Sequence, residues 1–162
     1  MEQGPEYVLV TGGIGFIGSH TVVELVAEGE NVIIVDALWN TNVKCLERIN
    51  EITKKPEAIT FLEMDFGDRD QMEEKVFKKY KVKSVIHFAG FKAVGESVDK
   101  PLMYYHNNVG RTVILLQLME KYDCNSIIFS SSCTVFGDGG TNDENGALGP
   151  ISPYGRTKYM VE

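Results

Sequence analysis

The stretch Gly12-Gly13-Ile14-Gly15-Phe16-Ile17-Gly18 constrains this chain more than any other. It follows the apolar run Tyr7 to Val10 and leads into a helix-compatible stretch from Ile17 to Glu28. Strand, glycine turn and helix therefore come in direct succession. Gly12 allows a sharp turn, Gly15 removes the Cβ that would keep a pyrophosphate away from the backbone, and Gly18 lets the helix pack tightly on the strand. The amino end of such a helix offers unpaired N–H groups to phosphate. A turn in this setting predicts a βαβ unit that binds a dinucleotide, with Gly12, Gly15, Phe16, Ile17 and Gly18 around the phosphates.

The rest of the chain repeats that rhythm. Short apolar runs recur at Asn31 to Val35, Ile59 to Met64, Ser84 to Phe88 and Ser126 to Phe129, and read as buried parallel strands. Met72, Val76, Phe77 and Tyr80 recur at helical steps, and Pro101 to Tyr122 is compatible with one long helix. Gly29 stands where a left-handed helix cap is expected, and Pro101 where a first helical turn tolerates a missing N–H. The fold class is α/β, a doubly wound parallel sheet of the Rossmann type, in one domain over residues 1–162. Asp138 to Ser152 is glycine-rich and acidic and reads as a surface loop. The fifth strand is expected to lie at an uncovered edge, with a helix beginning near Pro153.

Composition narrows the setting. A net charge of -7 disfavours nucleic acid and anionic membrane as partners. Lys78, Lys79, Lys81 and Lys83 gather near an expected helix end and read as a carboxyl-end device. No apolar run is long enough to span a membrane, and no signal-peptide pattern opens the chain. Cys45, Cys124 and Cys133 are scattered and odd in number, which speaks against disulfides and structural zinc. A cytoplasmic location is expected. His20, His87 and His106 lack ligand-like spacing, and no metal site is predicted.

Asp36 ends the second strand about 20 residues beyond the turn, where its carboxylate can accept hydrogen bonds from an adenosine ribose. It would repel a ribose 2′-phosphate, and Ala37, Leu38 and Trp39 include no arginine to hold one, so NAD is favoured over NADP. Asp65-Phe66-Gly67 spells a kinase magnesium motif, but none of the other kinase signatures accompanies it. In a doubly wound sheet an Asp there can instead meet the adenine amino group. Ser130-Ser131-Ser132 lies at the carboxyl end of the fifth strand, and Tyr154 and Lys158 lie one helical turn apart on the last helix. A free tyrosine has a pKa of about 10, too high for a base at neutral pH, so a neighbouring Lys158 would be needed to stabilise its phenolate.

With these stretches in view, the chain resembles the extended short-chain dehydrogenase/reductase family and, within it, the UDP-galactose (UDP-glucose) 4-epimerases. The resemblance is carried by Thr11 to Ser19, His87 to Ser97, Asn107-Asn108, Phe129 to Val135 and Ser152 to Lys158. It runs along the whole chain but only about the first half of such enzymes, so the sheet is expected to be cut short before its last strands and a small sugar-nucleotide domain. The sequence departs from the family pattern at Phe16, Ala37, Trp39 and Phe136 and in a shorter loop before Tyr154.

The resemblance implies NAD-dependent interconversion of UDP-galactose and UDP-glucose through a 4-keto sugar, in galactose metabolism. Tyr154 would be the base, Lys158 its electrostatic partner, and Ser132, helped by Thr134, would bind the reacting oxygen. Lys92 would reach the ribose or the substrate. Leu38, Asn40, Thr41, Asp65, Phe66, Phe88, Ala89, Gly90, Asn107 and Ser130 complete the cofactor site. A 4,6-dehydratase of the same family would want an acidic pair after the fifth strand, where Thr134, Val135 and Phe136 stand. A non-catalytic NAD-binding fragment is a third reading. Cys133 is expected in a small buried position. A homodimer would use Val109, Val113, Leu116 and Leu118, although burial against their own sheet would explain these residues equally well.

Overall fold

Five short runs of aliphatic and β-branched residues pair in parallel: β1 (Glu6–Thr11), β2 (Asn31–Asp36), β3 (Ile59–Glu63), β4 (Lys81–His87) and β5 (Ile127–Phe129). The computed structural model describes residues 4–137 and 145–162. The strand order is β3-β2-β1-β4-β5, so the winding reverses between β1 and β4. That reversal opens a crevice at the carboxyl ends of the strands, the place where doubly wound sheets bind ligands.

Alternation along the strands builds two cores. Val8, Val10, Val32, Ile34 and Ile86 face one side with Val22 and Val26 of α1 (Phe16–Ala27) and Ile49 of α2 (Lys44–Thr53). Leu9, Ile33, Val35 and Val85 face the other, against Met72 of α3 (Arg69–Met72), Val76 and Phe77 of the π turn Glu73–Phe77 that continues it, and Leu115, Leu118 and Met119. Each such fully buried side chain contributes about 1.5–3 kcal/mol.

The glycine and proline punctuation falls as expected: Gly29 has φ +89° after α1, and Pro101 opens α5 (Pro101–Tyr104). Elsewhere the boundaries move. β4 begins at Lys81, three residues before the expected start, because a bulge at Lys83 lets Val82 pair with Tyr7 and Ser84 with Val8. Lys81 and Lys83 thus belong to a strand and pair with Glu6 (2.8 Å) and Glu30 (2.6 Å), which corrects their reading as a helix-end device. The expected single helix from Pro101 is α5, a π segment (Tyr105–Gly110) and α6 (Arg111–Lys121) in series. The wider π turn sends the adjacent Asn107 and Asn108 both inward, a geometry that uniform α-helical spacing would not give. Helix α2 was not anticipated, since Ile49 is its only buried residue.

Within α6, Leu118 is fully buried in the core, which settles it as a packing residue, whereas Val113 and Leu116 are exposed. Of the acidic loop from Asp138, residues 138–144 lie outside the described set, and residues 145–152 form no helix or strand. The chain then enters α7 (Pro153–Val161), capped by Ser152, whose Oγ accepts the Gly155 N–H at 3.0 Å. Among the described residues β5 is an edge strand paired only with β4, and Ile128 is 61% exposed. Among the described residues no helix is long and apolar enough to cross a membrane.

Candidate active site

A cleft of about 530 Å³ lies over the carboxyl ends of all five strands. Its floor is the glycine turn. Gly12 has φ +70°, and a Cβ there would stand 2.8 Å from the Ala89 N. A Cβ on Gly18 would collide with the Gly12 carbonyl oxygen and stand 2.9 Å from the Gly13 Cα. No side chain caps α1, its first turn carries no carboxylate, and Ser19 N is the first amide to bond back, to Gly15 O at 2.9 Å. The N–H groups of Phe16, Ile17 and Gly18 are thus offered to the cleft that these residues line, as an anion requires. Phe16 and Ile17 are 79% and 59% exposed beside it. A pyrophosphate fits this cradle.

At the β2 end, Asp36 lines the cleft, and its Oδ1 accepts the Leu38 N–H (3.0 Å) and the Thr41 hydroxyl (3.1 Å). Asn40 and Thr41 line the cleft. Leu38, at φ +57°, does not, and packs against the core instead. Beyond β3, Asp65 and Phe66 line it; Asp65 accepts the Gly67 N–H at 2.8 Å and is ion-paired with Arg111 at 2.9 Å. Beyond β4 come Phe88, Ala89, Gly90 and an exposed Lys92, with the buried Asn107 behind them.

At the β5 end, Ser130, Tyr154 and Lys158 meet. Tyr154, 8% exposed, is fixed through its backbone: its N–H donates to Ser97 Oγ (3.1 Å) and its carbonyl accepts the Thr157 hydroxyl (2.7 Å). Lys158 Nζ donates to Ser130 O at 2.7 Å and lies 6.0 Å from the Tyr154 ring centroid. Burial lowers the Lys158 pKa to about 8, so it is still mainly charged at neutral pH. The helical spacing thus places a cation beside a phenol at the edge of the cleft.

Ser132 and Thr134 are placed differently. Their hydroxyls bond each other at 3.0 Å, and Ser132 lines a separate shallow hollow with Glu162. Ser131, which sequence reasoning did not select, lines both hollow and cleft. Cys133 is exposed and lines the same hollow, which corrects the buried position expected for it. Arg111, Trp39, Tyr104 and Glu96 also line the cleft without having been selected. Nothing in a helix of ordinary composition marks Arg111 as a cleft residue. Among the described residues no group of three or more His, Cys, Asp or Glu side chains could hold a metal ion.

A buried polar chain joins the two ends of the site. His87, 1% exposed, lies between Thr11 Oγ1 (2.5 Å) and Thr112 Oγ1 (2.9 Å). The Thr112 hydroxyl proton goes to Asn108 O (2.7 Å), so His87 must donate from Nε2 and accept at Nδ1. Asn108 in turn bonds Phe91 N and O and donates to Thr157 Oγ1 on α7 (3.1 Å). Burial, with a smaller contribution from the Lys158 charge, lowers the His87 pKa to about 3. Folded His87 is therefore neutral where an unfolded histidine protonates. Its stabilising contribution is full above about pH 6.5 and declines as pH falls toward 3. Between pH 7 and 5 the loss should be about 2 kcal/mol. Urea unfolding at both pH values checks this: His87→Gln should be less stable at pH 7 and show a shallower pH slope, and an equal slope would refute the neutral state.

The chain is 50% identical to the UDP-glucose 4-epimerase of Bacillus subtilis (strain 168) over 96% of its length, and 48% identical to the bifunctional protein GAL10 of Pachysolen tannophilus, also over 96%. It covers 45% and 23% of those proteins, so it spans less than half of either. The crystal structure of UDP-glucose 4-epimerase from Bifidobacterium longum in complex with NAD+ and UDP superposes with a TM-score of 0.90 at 45% identity, over 95% of this chain and 46% of that one. The match to the family model described as GDP-mannose 4,6 dehydratase runs from residue 9, inside β1, to residue 162, so the cleft lies within it and the chain belongs to that family.

Proposed function

We propose that this chain holds NAD and carries the acid–base residues for C4 epimerisation of UDP-galactose and UDP-glucose. The observation that carries the reading is one continuous cleft with a ribose carboxylate, a pyrophosphate cradle and the Tyr154–Lys158 pair in that order across the sheet. The relatives' names support the epimerase over other family members. The residues after β5, Cys133 to Phe136, include no carboxylate, which counts against a dehydratase.

Gly12, Gly15 and Gly18 with the first amides of α1 would hold the pyrophosphate, Asp36 the adenosine ribose, and Lys92 and Asn107 the far ribose. Bound there, NAD supplies a hydride acceptor that can return the hydride to either face of the sugar C4. Tyr154, as phenolate, takes the proton of the sugar 4-hydroxyl and returns it to the 4-keto oxygen. The charge of Lys158, anchored on Ser130 O, stabilises that phenolate. The resemblance assigns Ser132 and Thr134 to the reacting oxygen, and their hydroxyls bond each other at 3.0 Å on the turn after β5. The three free cysteines suit a cytoplasmic enzyme of galactose metabolism, and the exposed Val113 and Leu116 offer a surface through which the full-length protein could form a homodimer.

The chain incubated with NAD and UDP-galactose should form UDP-glucose, followed by chromatography of the sugar nucleotides. Retention of NAD without UDP-glucose would leave an NAD-binding module instead.

A further inference from the structure

The mouth of the cleft is bridged by an aromatic contact. Trp39, on the loop after β2, meets Phe91, on the loop after β4, with ring centroids 5.1 Å apart. β1 and its glycine turn lie between those strands, so the contact passes over the pyrophosphate cradle. Trp39 is nevertheless 62% exposed, so its indole has little core packing to hold it. The Arg111 guanidinium holds it, centred 5.6 Å from the ring centroid. Arg111 is fixed in turn by Asp65 (2.9 Å) and by Asn107 Oδ1 (2.5 Å), and its stem lies where a Cβ on Gly67 would be. Phe91 is held by both backbone bonds to Asn108. The rigid partners are thus Arg111 and Phe91, and the indole is the adjustable member.

We propose that Trp39 and Arg111 bind the base at the adenosine end of the cleft: the indole leaves Phe91 and covers the adenine, while the guanidinium plane supports the stack. This rests on the dinucleotide reading above. A base carried by a ribose at Asp36 enters beside Asp65 and Arg111, beneath the exposed indole of Trp39, whereas Phe66 on the same side is buried. Aromatic and guanidinium planes both stack on purines. Asp65 receives the adenine amino group with its charge already paired to Arg111, so the site is not a bare anion.

Trp39 is the sole tryptophan, so its emission reports this step directly. Titration of the chain with NAD and with ADP-ribose should each give a saturable change in indole emission, and nicotinamide mononucleotide should give none. By calorimetry, Trp39→Leu should weaken NAD and ADP-ribose alike by roughly 5- to 150-fold, the range expected for one base–aromatic stack. Trp39→Phe should restore most of that affinity. Arg111→Lys, which keeps the charge but not the plane, should weaken both ligands several-fold. If NAD binds with unmoved emission, or Trp39→Leu binds as tightly as the parent, the base cover is overturned while the dinucleotide cleft stands. If neither NAD nor ADP-ribose binds, both readings fall.

Discussion

Gly18→Ala is expected to abolish NAD binding and to destabilise the fold by about 1–3 kcal/mol or more. A methyl there meets the Gly12 carbonyl oxygen and Gly13 Cα, both backbone atoms that cannot rotate aside. α1 would have to lift off the turn, taking with it the amides of residues 16–18 that face the cleft. A displacement of about 1 Å is enough to cost roughly 100-fold where geometry is this tight. Calorimetric titration and a thermal melt measure the two effects. Gly95→Ala is the matched control: nothing lies within 4 Å of its Cβ, and it sits in α4 (Val94–Asp99), so alanine should stabilise by roughly 0.5–1 kcal/mol. Equal behaviour of the two variants would remove the steric basis for the cradle.

Tyr154→Phe is expected to lower epimerase turnover by roughly 100- to 10,000-fold with little loss of NAD affinity or stability. The contacts that position residue 154 are backbone ones, to Ser97 and Thr157, and the phenylalanine ring preserves the packing. Lys158→Met should also lower turnover, and it adds a pH signature. Lys158 titrates at about 8, so the charge that stabilises the phenolate is present below that pH and lost as pH rises through it. The parent rate should therefore bend downward near pH 8, and the Lys158→Met rate should lack that bend. A tyrosine variant with parental turnover would remove Tyr154 from the mechanism.

The parts of the site that were legible in the sequence are those whose chemistry is local. Glycines spaced within one turn, an aspartate that ends a strand and a tyrosine one helical turn from a lysine can each be read without knowing what packs against them. The placement of Tyr154 and Lys158 at the β5 edge follows from strand order and right-handed crossovers, which the alternating pattern already implies. The π segment was not legible, because an extra residue in one helical turn leaves no compositional mark, yet it is what buries both Asn107 and Asn108.

Neither was the partnership of Arg111. No arginine follows Asp36 closely along the chain. Arg111 reaches the cleft from α6, where its ion pair with Asp65 and its contact with Trp39 join three separate elements. The same limit explains Leu118 and Cys133: hydrophobic type and spacing do not say which side of a packed helix or turn faces the core. It also explains Ser130, Ser131 and Ser132, three identical side chains that the turn after β5 distributes between the cleft and a separate hollow.

The sequence by itself determined a parallel doubly wound sheet, a phosphate-binding turn and the residue types for a tyrosine-based proton transfer, because backbone sterics and short-range periodicity act within a few residues. Only the tertiary structure decided what shares the cleft with them. The neutral His87 bridge, the Arg111–Asp65 pair and the Trp39–Phe91 contact each depend on elements distant in sequence, brought together by the burial of the two faces of the sheet.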